Sequence, residues 1–201
     1  EPRAGEMFDL VRAQGATFHT LTCLTDHGAA GATSEPNTLG KAVDKCEAQV
    51  KKSATKFVVA ELRGLTSCAG AVLTCELTNP GDASCLAKAS GACAKDLAKI
   101  DDEAGKVPPA VDKRCGPEAI NFDALRAPTG ANLDVLAAQC AVFGVPALNS
   151  IADYETCLVR QHTCVGEELA RFEIPRAEEL LGLIAPPVAL HSAFCPAQTP
   201  E

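Results

Sequence analysis

Six of the eleven cysteines lie symmetrically about a single turn signal in the first half of the chain. The signal is Asn79-Pro80-Gly81, in which proline does not continue a helix and glycine readily takes the backbone conformation of a tight turn. A chain that reverses at this point brings the six thiols together as three nested pairs: Cys75 with Cys85, Cys68 with Cys93, and Cys46 with Cys115. The pattern predicts an antiparallel hairpin with three covalent rungs.

The segments on both sides of this turn have the apolar spacing of long helices. From 39 to 77, apolar residues recur every three or four positions while Lys and Glu occupy the other side. A second helix is predicted from about 84 to 106, because Asp82 or Ser84 can cap its start and Pro108-Pro109 ends it. Ala, Gly and Ser surround the cysteines, so the two backbones can approach as closely as a disulfide requires.

The rest of the chain is also predicted to be helical. Further helices are expected at 6–24, 132–143, 151–172 and 176–183, with a loop at 25–38 and an extended tail from Pro186. The predicted fold class is therefore all-α, with disulfide-stapled helical hairpins at 39–115 and within 130–185. We expect a single disulfide-rich domain over residues 1–201, with successive sections at 1–38, 39–115, 116–185 and 186–201.

Five cysteines remain outside the symmetric set. Cys140 and Cys157 flank a predicted loop, so they are expected to bond to each other. One further pair is expected among Cys23, Cys164 and Cys195, and Cys23–Cys164 is favoured because both residues lie on predicted helices. Cys195, in the tail, is then the odd thiol, either free or bonded to another chain.

The number and spacing of the cysteines indicate an oxidising compartment. Eleven cysteines are unusual in a cytosolic protein, and the sequence has neither C-x-x-C nor the paired histidines of a zinc site. We expect the protein to be secreted, periplasmic or at the cell surface. The first residues lack the charged and apolar segments of a signal peptide, so an exported chain would be a processed form.

The four histidines are weak candidates for a metal or haem site. His162 lies between Cys157 and Cys164, but the C-x-x-C-H motif of haem attachment is absent. His19 and His191 are the other candidate ligands. We predict no metal site and no cofactor, with His162 a polar residue on a helix.

Charge and hydropathy limit the partners. The net charge of −8 disfavours nucleic acid and anionic membranes. The longest apolar run, at 180–190, is too short and too interrupted by Gly and Pro to cross a bilayer, so no transmembrane segment is predicted. The expected partners are other protein subunits, including copies of this chain.

No sequence motif indicates an enzymatic reaction. The serine-hydrolase elbow, the phosphate-binding loop and the H-E-x-x-H motif are all missing. We therefore expect an exported, non-enzymatic structural or interaction protein that is a subunit of a cell-surface or extracellular assembly. The alternative is a carrier of a small apolar ligand or cofactor, such as haem, held between the stapled helices. An enzyme of unknown reaction is the third hypothesis.

Overall fold

A computed structural model describes residues 38–174 and 176–196, and all regular elements within these residues are helices. They are α1 (Thr38–Thr78), α2 (Ala83–Cys115), α3 (Phe122–Arg126), a short 3₁₀ helix (Leu133–Leu136), α4 (Ala137–Val142), α5 (Ile151–Glu173) and α6 (Ala177–Gly182). The predicted all-α class is confirmed. The helix and loop predicted at 6–24 and 25–38, together with Cys23, His19 and His27, fall outside the described part of the chain, except for Thr38.

The chain divides into two compact units, each built from two separate segments. Among the described residues, the first unit holds 38–54 and 107–159. The second unit holds 55–106, 160–174 and 176–196. Helices α1, α2 and α5 each contribute residues to both units.

The turn between α1 and α2 lies at the predicted position. The N–H of Asn79 donates to the carbonyl of Cys75 at 2.8 Å, and Gly81 has a φ of 74°, which favours glycine. Asp82 then caps α2, because its Oδ1 accepts from the N–H of Ser84 at 2.8 Å. This hydrogen bond is the main reason why the pKa of Asp82 lies below its ordinary value.

Three disulfides join α1 to α2 in the nested order that the symmetry of the sequence predicts. Their Cα–Cα distances are 4.9 Å for Cys46–Cys115 in the first unit, and 4.8 Å for Cys68–Cys93 and 5.7 Å for Cys75–Cys85 in the second. Because Cα atoms lie about 2.3 Å from a helix axis, such distances fit the usual packing of two helices about 8–10 Å apart.

A glycine allows close packing of α1 and α2 at one level of the second unit. A Cβ on Gly64 would lie only 2.7 Å from Cδ1 of Ile100, closer than two carbon atoms can pack. The Ile100 side chain therefore occupies the space that any other residue at 64 would take. The interior between α1 and α2 is filled at this level.

Helix α2 continues through Pro108 and Pro109, so the prediction that it ends there is wrong. Each proline removes one backbone donor from the helix. One of the carbonyls that lose their donor belongs to Gly105, an exposed residue at which water can replace the missing bond. Val107 and Val111, on either side of the prolines, are 1% and 0% exposed. Their burial and the outermost disulfide hold the helix together here.

Shorter helices complete the first unit, which also contains the N-terminal part of α5. The helix predicted at 132–143 begins as the 3₁₀ helix at Leu133, just after Asn132, whose φ of 53° is left-handed. The five-residue helix α3 was not predicted. Cys140 of α4 bonds to Cys157 of α5 with a Cα–Cα distance of 5.3 Å, which is the predicted pair.

The tail of the second unit folds back onto α5 and is not a loose extension. Cys164 bonds to Cys195, with a Cα–Cα distance of 5.5 Å. The predictions that Cys164 pairs with Cys23 and that Cys195 is the odd thiol are therefore wrong. Spacing along the chain could not show that residues after Pro186 return to α5. Ten of the eleven cysteines are thus paired within the described residues, and Cys23 is the eleventh.

Length and composition alone would let one described helix, over Leu39–Thr78, cross a membrane. In the structure, 44% of its apolar window is buried inside the protein. A core helix of a globular protein has the same composition, so this property is only a weak indication of a membrane span.

Candidate functional site

A buried carboxyl group lies on the apolar face of α1 in the second unit. Glu61 follows Phe57 by four residues and precedes Leu65 by four, so the helical repeat places it among core positions. Its exposed fraction is 3%, which is unusual for a glutamate. A buried charge is costly unless it is paired, so the surroundings of Glu61 decide its chemical state.

Glu61 packs against a glycine of α5. A Cβ on Gly166 would overlap the Glu61 carboxyl group, and its nearest atom would be Oε2. Only a glycine leaves room at this position for the carboxyl group to lie against the backbone of α5. At this contact α1 contributes the Glu61 side chain, and α5 contributes only the backbone of Gly166.

The surroundings keep Glu61 protonated at neutral pH. Burial raises the pKa of Glu61 to about 9, and the negative charge of Glu167 on α5 adds to the increase. Glu61 Oε2 has no hydrogen-bond partner among the residues that the structure describes. Glu61 is therefore a neutral carboxylic acid held beside a second carboxyl group.

Glu167 lies under the folded-back tail. We call residues 188–195 the strap. Ser192 of the strap donates to Glu167 twice, from its backbone N–H to Oε2 at 3.1 Å and from its hydroxyl to Oε1 at 2.6 Å. The sulfur of Cys195 lies 3.6 Å from Oε2, a contact without a shared proton because the disulfide sulfur carries no hydrogen.

Other contacts hold the strap on α5. Arg171, one helical turn after Glu167, donates to the carbonyl of Leu190 and forms an ion pair with Glu178 at 2.7 Å. The guanidinium of Arg160 lies 5.3 Å from the centre of the Phe194 ring, within the range of a cation–π interaction. The Leu190 side chain is 1% exposed. The strap thus covers Glu167 with polar, apolar and covalent contacts.

The histidines do not form a site in the described residues. His162 is fully buried on α5, whereas His191 is exposed on the strap. The prediction of a polar helix residue at 162 did not anticipate this burial. No group of three or more His, Cys, Asp or Glu side chains that could hold a metal occurs in the part of the chain that the structure describes. His19 lies outside that part.

The neighbouring residue on α5 is a buried amide. Gln161 is 1% exposed, and neither its Oε1 nor its Nε2 has a hydrogen-bond partner among the described residues. Burying an amide in this way destabilises a protein unless water or another polar group reaches it. Buried polar groups are therefore concentrated on this part of α5.

The first unit contains a second buried polar cluster. Tyr154 of α5 is 1% exposed, and burial together with the charge of Glu47 raises the pKa of its hydroxyl. Burial also raises the pKa of the adjacent Glu155 to about 7, with a smaller contribution from the charge of Asp112. Glu155 therefore titrates near neutral pH.

A surface groove of about 430 Å³ lies between α1 and α2 in the second unit. Its lining includes both apolar and charged side chains: Thr55, Lys56, Val59, Ala60, Arg63, Lys99, Asp102 and Glu103. Lys56 and Glu103 face each other at 3.8 Å, and Val59 is 40% exposed. The lining of the groove thus combines apolar side chains with both basic and acidic ones.

Sequence reasoning missed the buried carboxyl pair. The candidate residues predicted from the sequence are cysteines and histidines, and neither Glu61 nor Glu167 is among them. The position of Glu61 within an apolar repeat was the available signal, because every neighbouring position in that repeat is hydrophobic.

The chain has no significant match to a protein-family model, to a curated protein or to a solved structure.

Proposed function

We propose that this protein is an exported, non-enzymatic structural or interaction protein, a subunit of a cell-surface or extracellular assembly. The observation that carries the proposal is the set of five disulfides, which link α1 to α2 three times, α4 to α5, and α5 to the strap. Disulfides of this density persist in oxidising compartments. They favour durability outside the cell.

The surface offers apolar side chains for contact with a partner. Leu77, beside the turn between α1 and α2, is the most exposed large apolar residue in the described part of the chain, at 73%. Single exposed apolar residues are common, so Leu77 supports a contact only as one element of a larger surface. Its position at the end of a triply stapled hairpin would give such a contact a rigid support.

The state of assembly tests the proposal. The oxidised full chain is examined by mass photometry and by non-reducing gel electrophoresis, both alone and as isolated from the cells that produce it. We expect species heavier than one chain, and we expect Leu77→Ser to weaken any assembly that uses the hairpin end. A single chain with no bound protein in every preparation would contradict the proposal.

A carrier of a small apolar ligand is the second candidate, and one observation favours it. The groove is lined by Val59 and Ala60 together with three basic residues and two acidic ones: Lys56, Arg63, Lys99, Asp102 and Glu103. Because the basic residues outnumber the acidic ones, an apolar molecule with an acidic group fits this lining. Native mass spectrometry of protein isolated from its source should then find a bound small molecule, and Val59→Glu should remove it. A preparation without any added mass would exclude the carrier function.

A further inference from the structure

The disulfides of the described residues differ in their access to solvent. In three of them both cysteines are buried, with exposed fractions of 4% or less: Cys46–Cys115, Cys68–Cys93 and Cys140–Cys157. In Cys75–Cys85 one cysteine is buried and the other is partly exposed. Only in Cys164–Cys195 are both cysteines partly exposed. A thiolate must reach a sulfur atom to open a disulfide, so this bond and Cys75–Cys85 are more accessible than the three buried bonds.

Loss of the Cys164–Cys195 bond would also remove the only disulfide that holds the strap on α5 among the described residues. The α1–α2 hairpin keeps two rungs if any single rung opens. The strap, in contrast, has one covalent link to α5, and Leu190 is its one fully buried apolar side chain. Its other contacts are hydrogen bonds and the cation–π interaction of Phe194 with Arg160, which contribute little net stability each.

The sulfur of Cys195 lies 3.6 Å from the Glu167 carboxyl group, so release of the strap would separate these two groups. Once the covalent bond is lost, only non-covalent contacts hold the strap on α5.

We propose that Cys164–Cys195 is a thiol–disulfide exchange site at which a dithiol releases the strap from α5 and uncovers Glu167. One thiolate of the dithiol attacks a sulfur of the bond and forms a mixed disulfide, while the other cysteine leaves as a thiolate and takes a proton. The second thiol of the reagent then displaces the bound cysteine and closes the oxidised reagent. Two electrons and two protons pass from the dithiol to the two cysteines.

Limited reduction of the oxidised full chain tests the order of opening. The protein is treated briefly with dithiothreitol near pH 8, alkylated with iodoacetamide, and mapped by mass spectrometry of its peptides. We expect Cys164 and Cys195 to be alkylated at least about tenfold faster than the cysteines of the three buried bonds, because those sulfurs become reachable only when the helices open. Equal rates, or earlier alkylation of a buried pair, would overturn the proposal.

Hydrogen exchange tests the release of the strap. The backbone N–H groups of Val188, Ser192 and Cys195 donate to Leu181, Glu167 and Ser192 in the oxidised protein, so they should exchange slowly. In the selectively reduced protein, and in the Cys164→Ser/Cys195→Ser variant, we expect their exchange to become at least about tenfold faster while α1 and α2 stay protected. Unchanged exchange in the strap would refute the release.

The second accessible disulfide provides a matched control. The Cys75→Ser/Cys85→Ser variant removes a partly exposed bond from the same unit without touching the strap. Exchange in residues 188–195 should then equal that of the unmodified protein. Faster exchange in this control would show that the strap responds to any loss of a disulfide, and the specific role of Cys164–Cys195 would be rejected.

Discussion

Replacing Glu61 with glutamine should make the protein more stable at alkaline pH and leave its stability near pH 5 almost unchanged. Glutamine has nearly the shape of a protonated glutamic acid, so it preserves the packing of the side chain against Gly166. It differs in that it does not ionise. The substitution therefore removes one proton equilibrium and retains the volume of the side chain.

The magnitude follows from the pKa of Glu61, which is about 9 in the folded protein against 4.5 for the unperturbed group. Between these values the folded protein keeps a proton that the unfolded chain releases. The free energy of unfolding therefore falls with rising pH, by about 1.4 kcal/mol per pH unit for this group. Between pH 5 and pH 8 the loss is about 4 kcal/mol, and Glu61→Gln should abolish it.

Guanidinium unfolding under non-reducing conditions, repeated from pH 5 to pH 8, measures this difference. The free energy of the variant minus that of the wild type should increase steadily with pH, because all other groups, Glu155 included, cancel in the comparison. The matched control is Glu173→Gln, which removes an exposed carboxylate from α5. A difference between Glu61→Gln and wild type that does not change with pH would refute the argument that Glu61 is buried and protonated.

Two further predictions concern packing and covalent links. Gly166→Ala should destabilise the protein by about 1–3 kcal/mol, because the new methyl group overlaps the Glu61 carboxyl group. At Gly91 a Cβ meets no atom within 4 Å, so Gly91→Ala should stabilise α2 by about 0.5–1 kcal/mol. Thermal unfolding compares the two, and equal effects would contradict the close contact at 166. Replacing Cys46 and Cys115 by serine should lower the free energy of unfolding by about 4 kcal/mol, since the bond spans 69 residues. A loss below about 1 kcal/mol in guanidinium would contradict this constraint on the unfolded chain.

The hairpin could be predicted from the sequence because its determinants are local or symmetric. Spacing from one turn is enough to pair six cysteines in an antiparallel hairpin, since residues equally far from the turn face each other. The apolar repeat of α1 likewise depends only on neighbouring residues. The continuation of α2 through Pro108 and Pro109 could not be predicted in the same way, because burial and a distant cysteine outweigh the local preference of proline.

The sequence by itself determined the helical class, the turn at Pro80-Gly81 and the order of the three rungs, because these follow from periodicity and from distance along the chain. The tertiary structure alone decided the partner of Cys164, the docking of the strap and the protonation of Glu61. Each of these depends on which segment, far away along the chain, covers α5. The burial of a residue and the charges around it depend on its neighbours in space. The spacing of residues along the chain does not specify these neighbours.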